Sequence, residues 1–374
     1  MSDARRPKVA FFVPSMSVGG TQLATLRLAG AFAERGYPTD LVLARAKGPF
    51  LERVPANVRI VDLQASRTLT SVPAMTRYLR RTQPDVVFSA RNEANVVACV
   101  ARRLAGASTR VVINVGSTLS RKAVDAPTFR GRSTMRWAGP FYRNSADAVV
   151  AISQGVAEDL VAHMGLPRDG VRIIYNPIIT PELFDDAKER VDHPWFSPGQ
   201  PPVVLGVGRL SVPKDFPTLL RAFALVRKER DAHLLVLGEG EERARLEALV
   251  DDLGLGDDVA LPGFEGNPAK YMQRAAVCVV SSIWEGLPAV LVEALALGTP
   301  VVSTDCPSGP AEVLDGGRLG ALVPTGDPEA LAAGIMQTLE PQVPSDGHPP
   351  LTSSLERFTL EKAVEEYEQV AGLV

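Results

Sequence analysis

Residues 277–314, VCVVSSIWEGLPAVLVEALALGTPVVSTDCPSGPAEVL, limit the folds open to this chain more than any other stretch. The stretch begins with Val277–Val280, a short apolar run typical of a buried parallel strand. Pro288 then begins a predicted helix, Ala289–Leu297, because the first turn of a helix needs no backbone donor. Pro300–Val302 begins the next strand. This order predicts an α/β fold in which a helix starting at a strand's carboxyl end can bind a phosphorylated ligand.

Two carboxylates lie within this stretch. Glu293 interrupts an apolar helix face, where a charge is disfavoured without a partner, and the vicinal hydroxyls of a ribose would supply one. Glu285 lies in the loop before the helix, about 6–10 Å away on helical geometry, where a sugar beyond a diphosphate could bind. An alternative stays open on these residues alone: Glu285 is an acid favoured by the helix dipole, and Glu293 is an exposed helix residue.

The spacing of these two acids, E285-GLPAVLV-E293, resembles the E-x7-E motif of retaining glycosyltransferases of family 4, and the similarity extends over SSIWEGLPAVLVEALALGTPVVSTDCPSGPAE. The resemblance implies the GT-B fold, an α/β architecture of two Rossmann-like domains whose parallel sheets face each other across a cleft. It also implies that the carboxyl-terminal domain holds a nucleotide-sugar donor. The string TDCPSGPAE is similar to the members of the family that act on cell-envelope or capsule glycans and lipid-linked oligosaccharides.

The chain has 374 residues, enough for two domains that each bury a core. Strand and helix patterns alternate along residues 1–178, which we predict to be an acceptor-binding Rossmann-like domain. A Pro- and Asp-rich segment, 177–200, reads as a linker, and residues 200–345 are predicted to bind the donor. A last amphipathic helix, 355–374, is expected from the resemblance to pack back on the first domain.

Two cations follow the first strand of the second domain. Arg209 and Lys214 lie between the strand Val203–Gly208 and the helix Pro217–Arg230, where they can bind a diphosphate and stabilise its charge as it leaves. The segment GRLSVPKDFPTLLRAF also resembles the diphosphate-binding motif of the family. The predicted catalytic residues are Glu285, Arg209 and Lys214. The predicted donor site comprises Arg209, Lys214, Gly263, Phe264, Glu285, Gly286, Leu287, Pro288, Val290 and Glu293.

The first domain offers polar loops at the ends of its predicted strands. The loop with Gly19 and Gly20 resembles a Gly-Gly loop of the family, although Thr21-Gln22 replaces the acid-containing pair that often follows it. The acceptor-side candidates are Gly19, Gly20, Arg91, Asn92 and Ser117. Related enzymes often carry a histidine near the position of Gly116, so no catalytic histidine is predicted.

Charge is distributed unevenly along the chain. Residues 1–176 carry a balance of +13 and the remainder −16, which suggests that the first half meets an anionic surface or acceptor, or that the halves attract each other. Residues 119–143 mix six basic side chains with four aromatic ones. This pattern suits an anionic membrane surface or a lipid pyrophosphate, but also a solvated loop whose aromatic side chains pack on the domain. Nucleic acid is disfavoured because no recognition motif accompanies the charge.

Further features narrow the class. The three cysteines, Cys99, Cys278 and Cys306, lack metal-ligand spacing and suggest a reducing compartment, and Cys306 is interpreted as a packed side chain. No apolar run is long enough to cross a bilayer, so we expect a cytoplasmic protein, with peripheral association at the inner face of the cell membrane as a further expectation. No D-x-D motif occurs, so no metal and no cofactor besides the nucleotide sugar is predicted.

The resemblance therefore implies transfer of a hexose or N-acetylhexosamine, with retention, from a nucleotide diphosphate sugar to a glycan or lipid-linked hydroxyl, with UDP as the expected nucleotide. Two alternatives remain. One is another GT-B enzyme, such as a nucleotide-sugar epimerase or a phosphorylase, although a phosphorylase would need pyridoxal and a longer chain. The other is a catalytically silent nucleotide-sugar-binding protein, which the glycine at 116 and the glutamine at 22 leave open.

Overall fold

The computed structural model describes residues 5–118, 120, 139–340 and 353–374. The chain divides into two compact units. The first comprises Met1–Pro177 and Phe358–Val374, and the second comprises Ile178–Arg357.

The first unit contains a seven-stranded sheet with the order β3-β2-β1-β4-β5-β6-β7, in which all neighbouring strands are parallel. Strands β1, β2 and β4 are buried along their whole length, as strands of a parallel sheet covered on both faces should be. The strands are β1 Val9–Val13, β2 Thr39–Leu43, β3 Val58–Asp62, β4 Val86–Ala90, β5 Arg110–Val115, β6 Ala148–Ala151 and β7 Val171–Ile173. The helices of this unit include α1 Gly20–Glu34, α2 Val72–Thr82, α3 Asn92–Ala105 and α4 Gln154–Met164.

The second unit contains a six-stranded parallel sheet with the order β10-β9-β8-β11-β12-β13. Its strands are β8 Val203–Val207, β9 His233–Leu237, β10 Val259–Gly263, β11 Val277–Val280, β12 Val301–Thr304 and β13 Ala321–Val323. Its helices include α5 Pro181–Lys188, α6 Phe216–Glu229, α7 Arg243–Asp252, α8 Ala269–Met272, α9 Ala289–Ala296, α10 Pro310–Val313, α11 Pro328–Leu339 and α12 Ser353–Glu356. The two sheets confirm the predicted α/β class with two Rossmann-like domains.

The segment predicted as a linker is an ordered part of the second unit. Helix α5 lies there, and the side-chain amide of Asn267 donates to the carbonyl of Asp186 at its carboxyl end, 2.8 Å away. Farther along, the ring of Trp195 stacks on His233 of β9 with the ring centres 4.3 Å apart. The proline- and aspartate-rich composition therefore marks a surface segment that packs on the second core rather than a free connector.

The carboxyl-terminal segment is two helices rather than the one that its amphipathic pattern predicts. Helix α12 ends at Glu356, and α13, Leu360–Ala371, begins after Thr359, whose hydroxyl accepts a hydrogen bond from the backbone N–H of Lys362. A threonine cap of this kind starts a new helix. Helix α13 belongs to the first unit, where it buries Tyr367 against Phe88 of β4.

Candidate functional site

The loops that follow β8 and β11 are joined side by side at the carboxyl edge of the second sheet. The two strands are neighbours, so their carboxyl ends lie at the same edge. Lys214 ends a single turn of 3-10 helix after β8, and its carbonyl accepts a hydrogen bond of 2.8 Å from the hydroxyl of Ser281. The backbone N–H of Ile283 donates to the carbonyl of Pro213 at 2.9 Å. These contacts fix the loop that carries Lys214 against the loop that carries Glu285.

Lys214 and Glu285 form an ion pair in this place. The Nζ atom of Lys214 lies 2.5 Å from Oε1 of Glu285, and the hydroxyl of Ser282 donates to the same oxygen at 2.7 Å. The two side chains are only 26% and 13% exposed, so water screens their attraction incompletely. Sequence reasoning missed Ser282, because a serine three residues before a loop glutamate carries no distinctive pattern.

The pair lines a small pocket that opens to solvent. Two residues that the sequence predicts for the donor site also line it: Pro288 just before α9 and Val290 in its first turn. The pocket is lined by Val207, Lys214, Phe216, Val279, Val280, Ser281, Ser282, Glu285, Pro288 and Val290. The wall therefore combines a cation, an anion, two hydroxyls and the beginning of a helix, which together can bind a phosphorylated polar ligand.

Arg209 is not brought into this pocket. Its guanidinium pairs with Glu241 in the loop after β9, at 3.0 Å, and its side chain is 73% exposed. The structure therefore separates the two cations that the sequence places together: Lys214 faces Glu285, and Arg209 lies on the surface. Water screens the exposed pair with Glu241, so the arginine side chain can leave it at small cost.

Glu293 lies in α9, half-buried. Burial raises the pKa of the Cys278 thiol in β11 to about 12, and the nearby charge of Glu293 adds to this rise. Glu293 is therefore near β11 and interacts within the second unit.

A turn after β12 supports the loop that carries Gly286, Leu287 and Pro288. The hydroxyl of Ser308 donates to the carbonyl of Gly286 at 2.9 Å. Gly309 has a φ of +102°, and a Cβ atom there would lie 2.5 Å from Cδ of Pro288. The turn thus packs against the start of α9, a contact that no local sequence pattern predicts.

Gly263 and Phe264 lie at the end of β10, at the same edge but two strands away from β8. Gly263 has a φ of +107°, and its carbonyl accepts a hydrogen bond of 2.8 Å from the backbone N–H of Gly238. Phe264 is 63% exposed, which is unusual for an aromatic side chain at a strand end.

The acceptor-side candidates gather at the carboxyl edge of the first sheet, after the adjacent strands β1, β4 and β5. Gly19 and Gly20 begin α1, and Ser117 follows β5. Arg91 caps α3 with a φ of +79°, a conformation that costs energy for a residue with a side chain, and Asn92 is the first helical residue. The structure therefore brings these loops to one edge.

The residues that depart from the family pattern in this unit have structural roles. Gln22 is buried and its side-chain amide donates to the hydroxyl of Ser17 at 3.2 Å, so it closes the Gly-Gly loop. A Cβ atom on Gly116 would lie 3.4 Å from the hydroxyl oxygen of Thr21. The loop after β1 therefore reaches the loop after β5, and a Cβ atom at position 116 would make an ordinary van der Waals contact with Thr21.

The basic segment 119–143 lies largely outside the described residues. Of its aromatic side chains, Tyr142 is buried, and burial raises the pKa of its hydroxyl.

Burial also raises the pKa of the Cys306 thiol to about 12, and the charge of Glu285 adds to the rise. The thiol therefore stays protonated, as a packed side chain should.

No helix within residues 5–118, 139–340 and 353–374 is both long and apolar enough to cross a membrane. In the part of the chain that the structure describes, no group of three or more His, Cys, Asp or Glu side chains is arranged to hold a metal ion.

Known proteins resemble this chain in sequence over both units. Residues 18–182 match the family described as Glycosyltransferase Family 4, and residues 187–348 match the family described as Glycosyl transferases group 1. The chain is 32% identical over 256 residues to the N-acetylgalactosamine-N,N'-diacetylbacillosaminyl-diphospho-undecaprenol 4-alpha-N-acetylgalactosaminyltransferase of Campylobacter jejuni, covering 68% of this chain and 67% of that protein. It is 27% identical to the lipopolysaccharide core biosynthesis glycosyltransferase LpsE of Rhizobium meliloti, covering 92% of this chain and 94% of that protein.

Solved structures resemble it in fold. HepE of Anabaena, crystallised in complex with UDP and glucose, has a TM-score of 0.77 to this chain at 21% identity. The match covers 99% of this chain and 100% of that protein. At this identity the likeness shows a shared fold.

Proposed function

The chain belongs to the glycosyltransferases of family 4 with the GT-B fold, and from this premise we propose that it is a retaining hexosyl- or N-acetylhexosaminyltransferase with a nucleotide diphosphate sugar, UDP by preference, as donor. The acceptor is a hydroxyl of a glycan or a lipid-linked saccharide in cell-envelope synthesis. The names of the Campylobacter and Rhizobium relatives support this acceptor class. The UDP in the HepE structure supports the nucleotide.

The observation that carries the proposal is the ion pair of Lys214 with Glu285, in a pocket at the start of α9. A diphosphate beside Lys214 would share the ammonium with the carboxylate, which places Glu285 next to the sugar that the diphosphate carries. Developing negative charge on the leaving diphosphate would be stabilised by Lys214 and by the amino-terminal end of α9. Positive charge on the sugar would be stabilised by Glu285.

The remaining donor contacts follow the same edge of the second sheet. We assign Glu293 to the ribose hydroxyls, Gly263 and Phe264 to the base, and Gly286, Leu287, Pro288 and Val290 to the phosphates and sugar. Arg209 would leave Glu241 and turn toward the diphosphate, a motion that its 73% exposure allows. Retention without a protein nucleophile corresponds to attack on the same face from which the diphosphate departs.

Acceptor contacts are assigned to the loops of the first unit, with Gly19, Gly20, Arg91, Asn92 and Ser117. The basic residues of segment 119–143 are proposed to bind an anionic membrane surface or the pyrophosphate of a lipid carrier. On this proposal the enzyme acts in the cytoplasm at the inner face of the membrane.

A thermal-shift panel of UDP, GDP and ADP sugars tests the donor site. A ligand that binds only the folded state stabilises it by about 2.7 kcal/mol at one hundred times its dissociation constant. We expect one nucleotide class, UDP, to raise the melting temperature in proportion to the logarithm of its concentration. Failure of all three classes at millimolar concentration would refute the proposed donor site.

Nucleotide release with and without acceptor tests the reaction. A transferase releases UDP in proportion to glycosylated acceptor, an epimerase interconverts donor sugars without acceptor, and a silent binding protein does neither. Glu285→Gln should lower the turnover about 10²–10³-fold, because it removes a charge that stabilises the transition state. Glu329→Gln is the matched control, since Glu329 is an exposed acid in the first turn of α11, away from the pocket. Full activity of Glu285→Gln would exclude the assigned role.

A further inference from the structure

Strand β10 carries a β-bulge beside the loop assigned to the nucleotide base. Its register against β9 shifts between Ala260 and Gly263, so Leu261 and Pro262 lie opposite a single residue of β9. A proline suits this place because it has no N–H to give to the strand ladder. The bulge bends the strand and so changes the direction of the chain at Gly263 and at the exposed Phe264 that follows.

The side chain of Arg243, at the start of α7, connects this bulge to the loop after β9. Its Nη1 donates to the carbonyl of Leu261 at 3.1 Å, and its Nη2 approaches the carbonyl of Gly238 at 3.4 Å. Its Nε and Nη2 donate to the two carboxylate oxygens of Glu239, at 2.8 and 2.6 Å. A bond of 2.8 Å to Glu247 completes the set. One guanidinium therefore ties the loop after β9 to the bulge in β10, a set of contacts that suits the planar fork of arginine.

The same cluster lies directly under Gly263. A Cβ atom on Gly263 would be 2.9 Å from Oε1 of Glu239 and 3.7 Å from Nη2 of Arg243. The carbonyl of Gly263 is also bound by the backbone N–H of Gly238. Glu239 and Arg243 thus form the surface on which the chain turns into Phe264.

We propose that Arg243 is a positioning residue that sets the nucleobase selectivity of the donor site, by fixing the Gly263–Phe264 loop from beneath. This inference rests on the proposed function, which places the base at that loop. Arg243 acts through the backbone of β10 and through Glu239. Loss of its side chain frees the loop and weakens recognition of the base, while the pocket of Lys214 and Glu285 keeps its own contacts.

Binding constants for UDP, GDP, ADP and inorganic pyrophosphate, measured by calorimetry, test the proposal. For R243A we expect about tenfold weaker binding of the nucleoside diphosphate that the unaltered protein prefers, the effect of losing a charged hydrogen-bonded group. The differences among the affinities of R243A for UDP, GDP and ADP should become smaller. Its affinity for pyrophosphate should stay within about twofold of that of the unaltered protein, as for a site without direct contact. R243K keeps the charge without the fork and should lie between R243A and the unaltered protein.

R245A is the matched control. Arg245 lies on the same helix, its guanidinium pairs with Glu242 at 2.8 Å, and its side chain is 65% exposed. We expect R245A to retain base preference and affinity. If R243A does not fold, R243K decides the question by its base preference.

Two results would overturn the inference. One is an equal loss of nucleotide and pyrophosphate affinity in R243A and R243K, which would mean general damage. The other is unchanged base preference in a folded variant. A different failure would concern the proposed function: if the unaltered protein binds none of the three nucleotides, the donor site and this inference fall together.

Discussion

At the residue scale, the Lys214–Glu285 pair explains why single substitutions at this site should not be additive. Each side chain is the other's partner at 2.5 Å, and both are largely buried, so removing one leaves an opposite charge poorly compensated. The loss of activity from either single substitution therefore includes the energetic cost of leaving the other charge without its partner.

A double-mutant cycle tests this coupling. We expect Lys214→Ala and Glu285→Gln each to lower kcat/KM about 10²–10³-fold, as removal of a charged transition-state contact does. The double variant should lose much less than the product of the two effects, because the second change removes the unpaired charge left by the first. Lys228→Ala, an exposed lysine in the last turn of α6, is the control and should keep full kcat/KM. Strict additivity would contradict the coupling.

A second residue-scale prediction concerns Asp40 of β2, which is 2% exposed. Burial alone would raise the pKa of this carboxyl group, but hydrogen bonds from Arg59 and Tyr78 and the charge of Lys8 outweigh it and hold the pKa below its usual range. A lowered folded-state pKa stabilises the fold at pH values above the unfolded pKa, and this stability is lost as the pH falls through the folded pKa.

Asp40→Asn should therefore lower the free energy of unfolding by about 1–3 kcal/mol at pH 7, the cost of leaving hydrogen-bonded charged partners unsatisfied. The difference from the unaltered protein should shrink as the pH falls below about 4, the ordinary pKa of aspartate, and further as it falls through the lowered folded-state pKa at which Asp40 itself loses its charge. Urea unfolding at several pH values measures both. Asp252→Asn, an exposed acid at the end of α7, should show neither effect. A difference that stays constant down to acid pH would show that the charge of Asp40 is not its source.

At the element scale, the site depends on turns that hold one another. Gly309 tests this dependence, because it has a φ of +102° and a Cβ atom would meet Pro288 at 2.5 Å. Gly309→Ala should destabilise the second unit by about 1 kcal/mol or more through the strained φ alone. It should also weaken nucleotide binding, because it displaces the residue from which α9 begins. Gly266→Ala, where an added Cβ meets nothing within 4 Å, should change neither the melting temperature nor the nucleotide affinity by a comparable amount.

The elements themselves were largely predictable from sequence. Continuous apolar runs identified β8 and β11, because parallel strands buried on both faces show no polar alternation that could be mistaken for another element. The helix start at Pro288 was equally clear, because proline and glycine restrict the backbone locally.

The contacts between loops were not predictable. Arg209 and Lys214 occupy the same loop in sequence, yet one pairs with Glu241 and the other with Glu285. The partner of each cation depends on which neighbouring strand its side of the loop faces, and no local sequence pattern indicates the order of the strands. The contacts of Arg243 were not predicted for the same reason, because one of them is to the carbonyl of Leu261 in the bulge of β10.

At the scale of the whole molecule, the chain builds two separate cores and returns to the first one at its end. Helix α13 buries its Ala363, Val364 and Tyr367 among strands of the first unit, although the residues just before it belong to the second. Glu368 of this helix, 6% exposed, pairs with Arg35 at 2.6 Å. The first core is therefore incomplete until the last residues of the chain have been added.

Removal of residues 358–374 tests this consequence. Each large apolar side chain uncovered or lost costs about 1.5–3 kcal/mol, so the first unit should unfold at a much lower denaturant concentration. The second unit keeps its own sheet, its core and the Lys214–Glu285 pocket, so its residues should still be protected from hydrogen exchange when nucleotide is added. Hydrogen exchange followed by mass spectrometry reports the two units separately. Removal of Val374 alone, 80% exposed, is the control and should leave both units protected. Equal loss of protection in both units would mean that the two cores do not fold as independently as their separate packing predicts.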